Sequence, residues 1–199
     1  MKNVFVCSLV FAGFLFLSSC NDSTKTETDS KEVAEEQNEK KFDGNSLEED
    51  ANFVVTAADG GMMEVQLGQL AQRNGKSTKV KQLGKMMVDD HSKANSELKT
   101  LAASKNITIP DSLGESKREK FNDFMKKKGT DFDKAYAEFM VDDHKKDIDN
   151  FKKQAERGND SALKAWATGK ISTLEHHLHM AEETRDAVEG RTSKDSVNK

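Results

Sequence analysis

Glu64, His91, His144 and His177 stand where a helical repeat calls for apolar side chains. A buried carboxylate or imidazole without a partner is costly, so four such groups should converge on one another or on an ion. Three imidazoles and one carboxylate suit a divalent transition metal: Zn²⁺, Cu²⁺, Fe²⁺ or Mn²⁺. The same four groups can instead form a metal-free, hydrogen-bonded polar layer that sets helix register. Both readings stand on the sequence. Asp90 and Asp143 each precede one of these histidines and are candidates to orient an imidazole or complete a shell.

The elements that must position these residues follow from the spacing of apolar side chains. The first long helix is expected to begin near Ser46, with Glu49 at capping-box spacing, and to stop at Asn74-Gly75. Its seam runs Val54, Ala57, Gly61, Glu64, Gly68, Ala71. The second starts at Ser77 or Thr78, with seam Val80, Gly84, Met87, His91, Ala94, Leu98, Leu101. The third covers 131–157, with Phe132, Tyr136, Phe139, Met140, His144, Ile148 and Phe151 on its apolar side. The fourth follows from Asp160, with Leu163, Trp166, Leu174, His177, Ala181, Thr184 and Val188. Steps of three and four recur throughout, the period of an amphipathic helix.

Short turns near Gly75 and Gly158 make the first and second helices antiparallel neighbours, and likewise the third and fourth. Between the second and third helices the NITIP stretch, Asn106 to Pro110, breaks the pattern, and a short helix over 115–127 follows. That connection is long enough to cross a bundle. The expected fold is all-α: a ferritin-like four-helix bundle with a long crossover carrying a short helix, its second and third helices parallel. The alternative is an up-down-up-down bundle with an elaborate loop. Composition agrees, with 33% charged residues, 7% aromatic and a single proline, a poor match to a β-sandwich. A net charge of −4 argues against a nucleic-acid partner.

The N-terminus carries an address. Lys2 precedes an apolar run from Val4 to Leu17, too short to span a bilayer comfortably, which ends in Leu17-Ser18-Ser19-Cys20. This resembles the lipobox of bacterial lipoproteins. The resemblance implies cleavage before Cys20, lipid on its sulfur and membrane attachment through that lipid. Residues 1–19 are then a signal peptide. Cys7 leaves with it, so the mature chain has neither a disulfide nor a thiolate metal site. Asn21, where an Asp would signal inner-membrane retention, favours the outer membrane, facing the periplasm. Residues 20–46 are rich in Ser, Thr, Glu, Asp and Lys and are expected to be a disordered tether. The bundle domain is expected over 47–190, and 191–199 should be a flexible tail.

Met87-Val88-Asp89-Asp90-His91 recurs as Met140-Val141-Asp142-Asp143-His144. In parallel helices the two histidines can reach a similar level of the bundle. The order of Phe53-Val54, Ala57-Ala58, Gly60-Gly61, Glu64 and Leu67-Gly68, then the two Met-Val-Asp-Asp-His copies, then Leu174-Glu175-His176-His177-Leu178, resembles the bacterial domain of unknown function 4142 family. The resemblance covers about residues 50–188. It implies a ferritin-like helical bundle on secreted, periplasmic or lipid-anchored proteins, and no established activity. The di-iron ferritin pattern is not met, because Val88, Val141 and Leu174 stand three residues before the seam histidines. Iron storage is therefore not carried over.

Other candidates are weaker. His176 and His179 are spaced for a peripheral copper or zinc site, but exposed histidines on a charged helix are ordinarily solvated. The methionines at 62, 63, 86, 87, 125, 140 and 180 suit Cu(I), yet they also suit adaptable core filling. The lysine runs at 126–128, 145–146 and 152–153 alternate with acids and read as solvated faces. No nucleophilic triad order, phosphate loop or zinc-protease motif is present. The leading functional expectation is a lipid-anchored, non-catalytic binding or stress-related bundle of the cell envelope. Set beside it are a metal-binding protein or metal-dependent redox enzyme using Glu64, His91, His144 and His177, and a purely structural interaction module.

Overall fold

A computed structural model describes residues 29–190. The expected signal peptide, Cys20 and the expected tail over 191–199 lie outside them. Six helices make up the described chain: α1 (Ser30–Phe42), α2 (Glu48–Asn74), α3 (Thr78–Ser104), α4 (Glu115–Met125), α5 (Gly129–Arg157) and α6 (Ser161–Glu189). Among the described residues there is no strand, and no helix is long and apolar enough to cross a membrane. The all-helical expectation holds.

The four long helices pack as a bundle, α2 against α3 and α5, and α6 against α5 and α3. Their directions follow from contacts at the two ends. At one end the backbone of Gly75, after α2, meets that of Gly129, which opens α5. There Asp133 accepts the N–H groups of Lys76 at 2.9 Å and Ser77 at 2.8 Å, tying the turn before α3 to α5. At the other end Asp50, early in α2, accepts from Asp160 N at 2.6 Å and from Gln154 Nε2 at 2.8 Å. Lys105, just past α3, pairs with Asp160 at 2.6 Å. So α3 and α5 run the same way, and the segment between them, with α4, crosses from one end to the other.

Close approach of α2 and α3 depends on glycine. A Cβ on Gly68 would lie 2.5 Å from the Gly84 carbonyl, and one on Gly84 would lie 2.7 Å from the Gly68 carbonyl. The core is divided along the bundle axis. One apolar cluster holds Met63, Leu67, Met87, Phe132, Tyr136, Met140 and Ala181. Two others gather Val54, Ala58, Leu98 and Leu163, and Ile148, Phe151, Ala167 and Leu174. His91, His144 and His177 lie between clusters in sequence on their helices, and Glu64 sits at the edge of the first, just after Met63; the four are buried at 7, 0, 1 and 1% exposure.

Two expectations are corrected. Residues 30–42 are not part of a disordered tether but form α1. Ala34, Asn38 and Phe42, spaced by four, are its buried face. The Asn38 amide donates to the Thr108 carbonyl and accepts from the Thr108 N–H, both at 2.7 Å, and so docks α1 on the NITIP turn. Asp29 caps α1 through Lys31 N and also accepts from Glu115 N, the first residue of α4, both at 2.9 Å. Composition missed this helix because what holds it is contact with a segment some 70 residues away, not its own hydrophobicity. The Ser46–Glu49 capping box is likewise absent. Leu47 occupies the N-cap position of α2, and Asn45 Oδ1 accepts its N–H at 3.0 Å, an Asx turn in place of the box.

Candidate metal centre

The site is built by one residue from each long helix. Glu64 comes from α2, His91 from α3, His144 from α5 and His177 from α6. In each helix the position falls on the seam, so the fold turns all four inward. One ring nitrogen from each of the three histidines lies within 4.8 Å of the other two. Ring centroids are 5.2–5.7 Å apart.

Hydrogen-bond partners decide which nitrogens are available. His144 Nδ1 lies 2.9 Å from the Met140 carbonyl, which can only accept, so this nitrogen carries the proton. His177 Nε2 lies 2.8 Å from Asp90 Oδ2 and donates to that carboxylate. In the neutral rings, His144 Nε2 and His177 Nδ1 are then lone pairs facing each other at 3.3 Å. His91 Nδ1 lies 2.8 Å from Glu64 Oε2, and its Nε2 is buried with no hydrogen-bond partner. Glu64 Oε1 is also unpartnered, 3.5 Å from His144 Nε2.

Burial governs the protonation of the layer. It pushes His91 down to about 4, His144 to about 3 and His177 to about 4. It holds Glu64 well above the usual carboxylate range, with the Asp143 charge adding to the rise. The imidazoles are thus neutral at pH 7, the form that ligates metal.

Asp90 bonds not to the neighbouring His91 but to His177, across the bundle. Asp143 meets none of the histidines at bonding distance. It groups instead with Glu64 and Asp147, one oxygen from each lying within 4.8 Å of the others. Sequence reasoning passed over Asp147. Its signal was spacing, four residues beyond Asp143 and three beyond His144, on the face α5 turns inward. Burial raises both aspartates, and the Glu64 charge raises Asp147 further. Lys117 of α4 is the cation that all three carboxylates feel. Tyr136, fully buried with its hydroxyl unpartnered, is raised by burial and by Glu64.

The remaining candidates lie elsewhere. His176 and His179 are exposed and join no cluster, and His179 faces Glu183 at 3.4 Å. Met63, Met87 and Met140 are core residues, with Met62, Met86 and Met180 packed against them, while Met125 is exposed.

Fold and site together define an all-helical bundle protein with a buried Glu/His₃ layer at mid-length. The sequence matches the family model described as "Domain of unknown function (DUF4142)" over residues 29–184, and the chain belongs to that family. The match begins at the Asp29 cap and so takes in α1 as part of the domain. No curated protein and no solved structure matches the chain.

Proposed function

We propose that this protein is a lipid-anchored, ferritin-like bundle of the cell envelope that binds a divalent transition metal through His91, His144 and His177. Glu64 and Asp90 hold the rings in place. The observation that carries the reading is the pair of lone pairs on His144 Nε2 and His177 Nδ1 at 3.3 Å. Two acceptors at that distance repel unless a proton or a cation lies between them. A proton would make a buried imidazolium, at a ring that burial has depressed to about 4. A cation needs no such state. Ligands about 2.05 Å from a tetrahedral Zn²⁺ stand roughly 3.3–3.4 Å apart, the separation seen here. His91 Nε2, buried and unpartnered, offers a third donor.

The parallel course of α3 and α5 across the α4 crossover supports the ferritin-like topology. The lipobox-like Leu17-Ser18-Ser19-Cys20 supports the anchor, and Asn21 supports an outer-membrane destination facing the periplasm. A metal-free polar layer is the rival. In it His177 holds two protons, one toward Asp90 and one toward His144, while His91 Nε2 and Glu64 Oε1 stay unpartnered.

Elemental analysis and zinc titration of the purified protein decide between them. The expected result is one tightly held Zn²⁺ per chain, a rise in Tm on zinc addition, and loss of both in a folded His144→Ala variant. No zinc uptake and an unchanged Tm would sink the metal reading and leave the polar layer. For the anchor, Cys20→Ala should release the protein from membranes, and retention there would refute lipid attachment.

A further inference from the structure

We infer that Glu64, Asp143 and Asp147 form a second cation site, for a hard divalent ion such as Mn²⁺, with Asp147 bordering a cleft between α2 and α5. The inference builds on the histidine site, because Glu64 belongs to both groups.

The first argument is charge. Three carboxylates meet inside the bundle with one oxygen each within 4.8 Å of the others. Lys117 acts on all three and Lys146 on Asp143, two positive charges against three negative, so at least one negative charge remains to be balanced by a proton or a cation. The second is unmet bonding. Glu64 Oε1 and Asp143 Oδ2 are buried with no hydrogen-bond partner, and the Tyr136 hydroxyl, whose neighbouring charge is Glu64, has none either. Glu64 is only 1% exposed, so these are not oxygens left to bulk solvent. Buried polar atoms are satisfied in the great majority of cases, so two orphaned oxygens within one cluster of carboxylates mark a place built for something else. The third is donor type. All-oxygen sets select hard ions, whereas the three imidazoles beside them suit borderline ones. Carboxylate oxygens on a common ion lie at most about 4.2–5.2 Å apart, and these three lie within 4.8 Å of one another.

The fourth is access. A cleft of about 290 Å³ lies between α2 and α5, lined in part by Phe53, Thr56, Asp147 and Asn150. A separate cleft of about 120 Å³, between α3 and α6, reaches His91, His177 and Asp90. Phe151 lines both. Asp147 thus borders one cleft, and His91 and His177 border the other. Asp143 and Asp147 come from one helix and Glu64 from its neighbour, so the site exists only when α2 and α5 are packed.

The test is sequential loading of the full chain. Zinc is added to one equivalent, then Mn²⁺ is titrated and its bound fraction read from the loss of the free-ion paramagnetic resonance signal. The expected result is about one bound Mn²⁺ beyond the zinc. Asp147→Asn should weaken Mn²⁺ at least about tenfold while keeping the zinc equivalent. Asp143→Asn serves as the second variant, with circular dichroism checking that each is folded. Zinc binding without Mn²⁺ binding, or Mn²⁺ affinity unchanged in both folded variants, overturns the carboxylate site and leaves the histidine site standing. Mn²⁺ bound without zinc supports the carboxylate site and sinks the histidine one. Neither ion bound overturns both.

Discussion

His177 stands between Asp90 and His144, with Nε2 2.8 Å from the Asp90 carboxylate and Nδ1 3.3 Å from His144 Nε2. Asp90 therefore decides which face of the ring is bare. Replacing Asp90 with Ala frees the tautomer, and zinc affinity should fall roughly 10–100-fold with the bundle intact. Chelator competition measures the loss. Unchanged affinity would mean that Asp90 does not orient the ligand.

Close packing of α2 on α3 predicts a sharp contrast between two glycines. Gly68→Ala puts a Cβ 2.5 Å from the Gly84 carbonyl, which is backbone and cannot swing away. Urea denaturation should show a loss of about 1–3 kcal/mol. Gly169, exposed in α6, meets nothing within 4 Å, and Gly169→Ala should add about 0.5–1 kcal/mol.

Asn38 joins α1 to the crossover by two hydrogen bonds to the Thr108 backbone. Asn38→Ala leaves Thr108 unsatisfied and should cost about 1–3 kcal/mol. Amide exchange should quicken over residues 30–42 and 106–110 before it quickens in α2 or α5. Uniform acceleration across the chain would contradict this local role.

Asp29 links stability to pH. The Glu115 N–H beside it, reinforced by Lys31, holds its carboxyl below the ordinary value of 3.8. A depressed acid stabilises the fold above its unfolded value and loses that contribution as pH falls through the folded one. Asp29→Ala should therefore cost about 1 kcal/mol at pH 7, the usual worth of a cap, and the gap from wild type should narrow as pH drops below 3.8. Urea denaturation at pH 7 and pH 3 reads the difference. An equal gap at both would remove the carboxylate from the argument.

The long helices were legible because each carries its own repeat. Val54 to Ala71, Val80 to Leu98, Phe132 to Phe151 and Leu163 to Val188 show the 3.6-residue period within a single segment. Glu64, His91, His144 and His177 were legible for the same reason, as polar interruptions in apolar stripes. α1 was not, because Ala34 and Phe42 are too few to mark a helix locally, and the Asn38 and Asp29 bonds that dock it reach 70 and 86 residues along the chain.

By itself, then, the sequence determined the helical class, the inward face of each long helix and the four polar residues on those faces, since periodicity is a local property. Only the tertiary structure decided what those residues do to one another. It paired Asp90 with His177, not with its neighbour His91, because the helices present the two across the bundle. It drew Asp143 away from the histidines toward Asp147 and Glu64. It left lone pairs facing on His144 and His177, because the Met140 carbonyl and Asp90 take the protons on their far sides. Tautomer, burial and shared charge arise between helices, and no spacing within one helix encodes them.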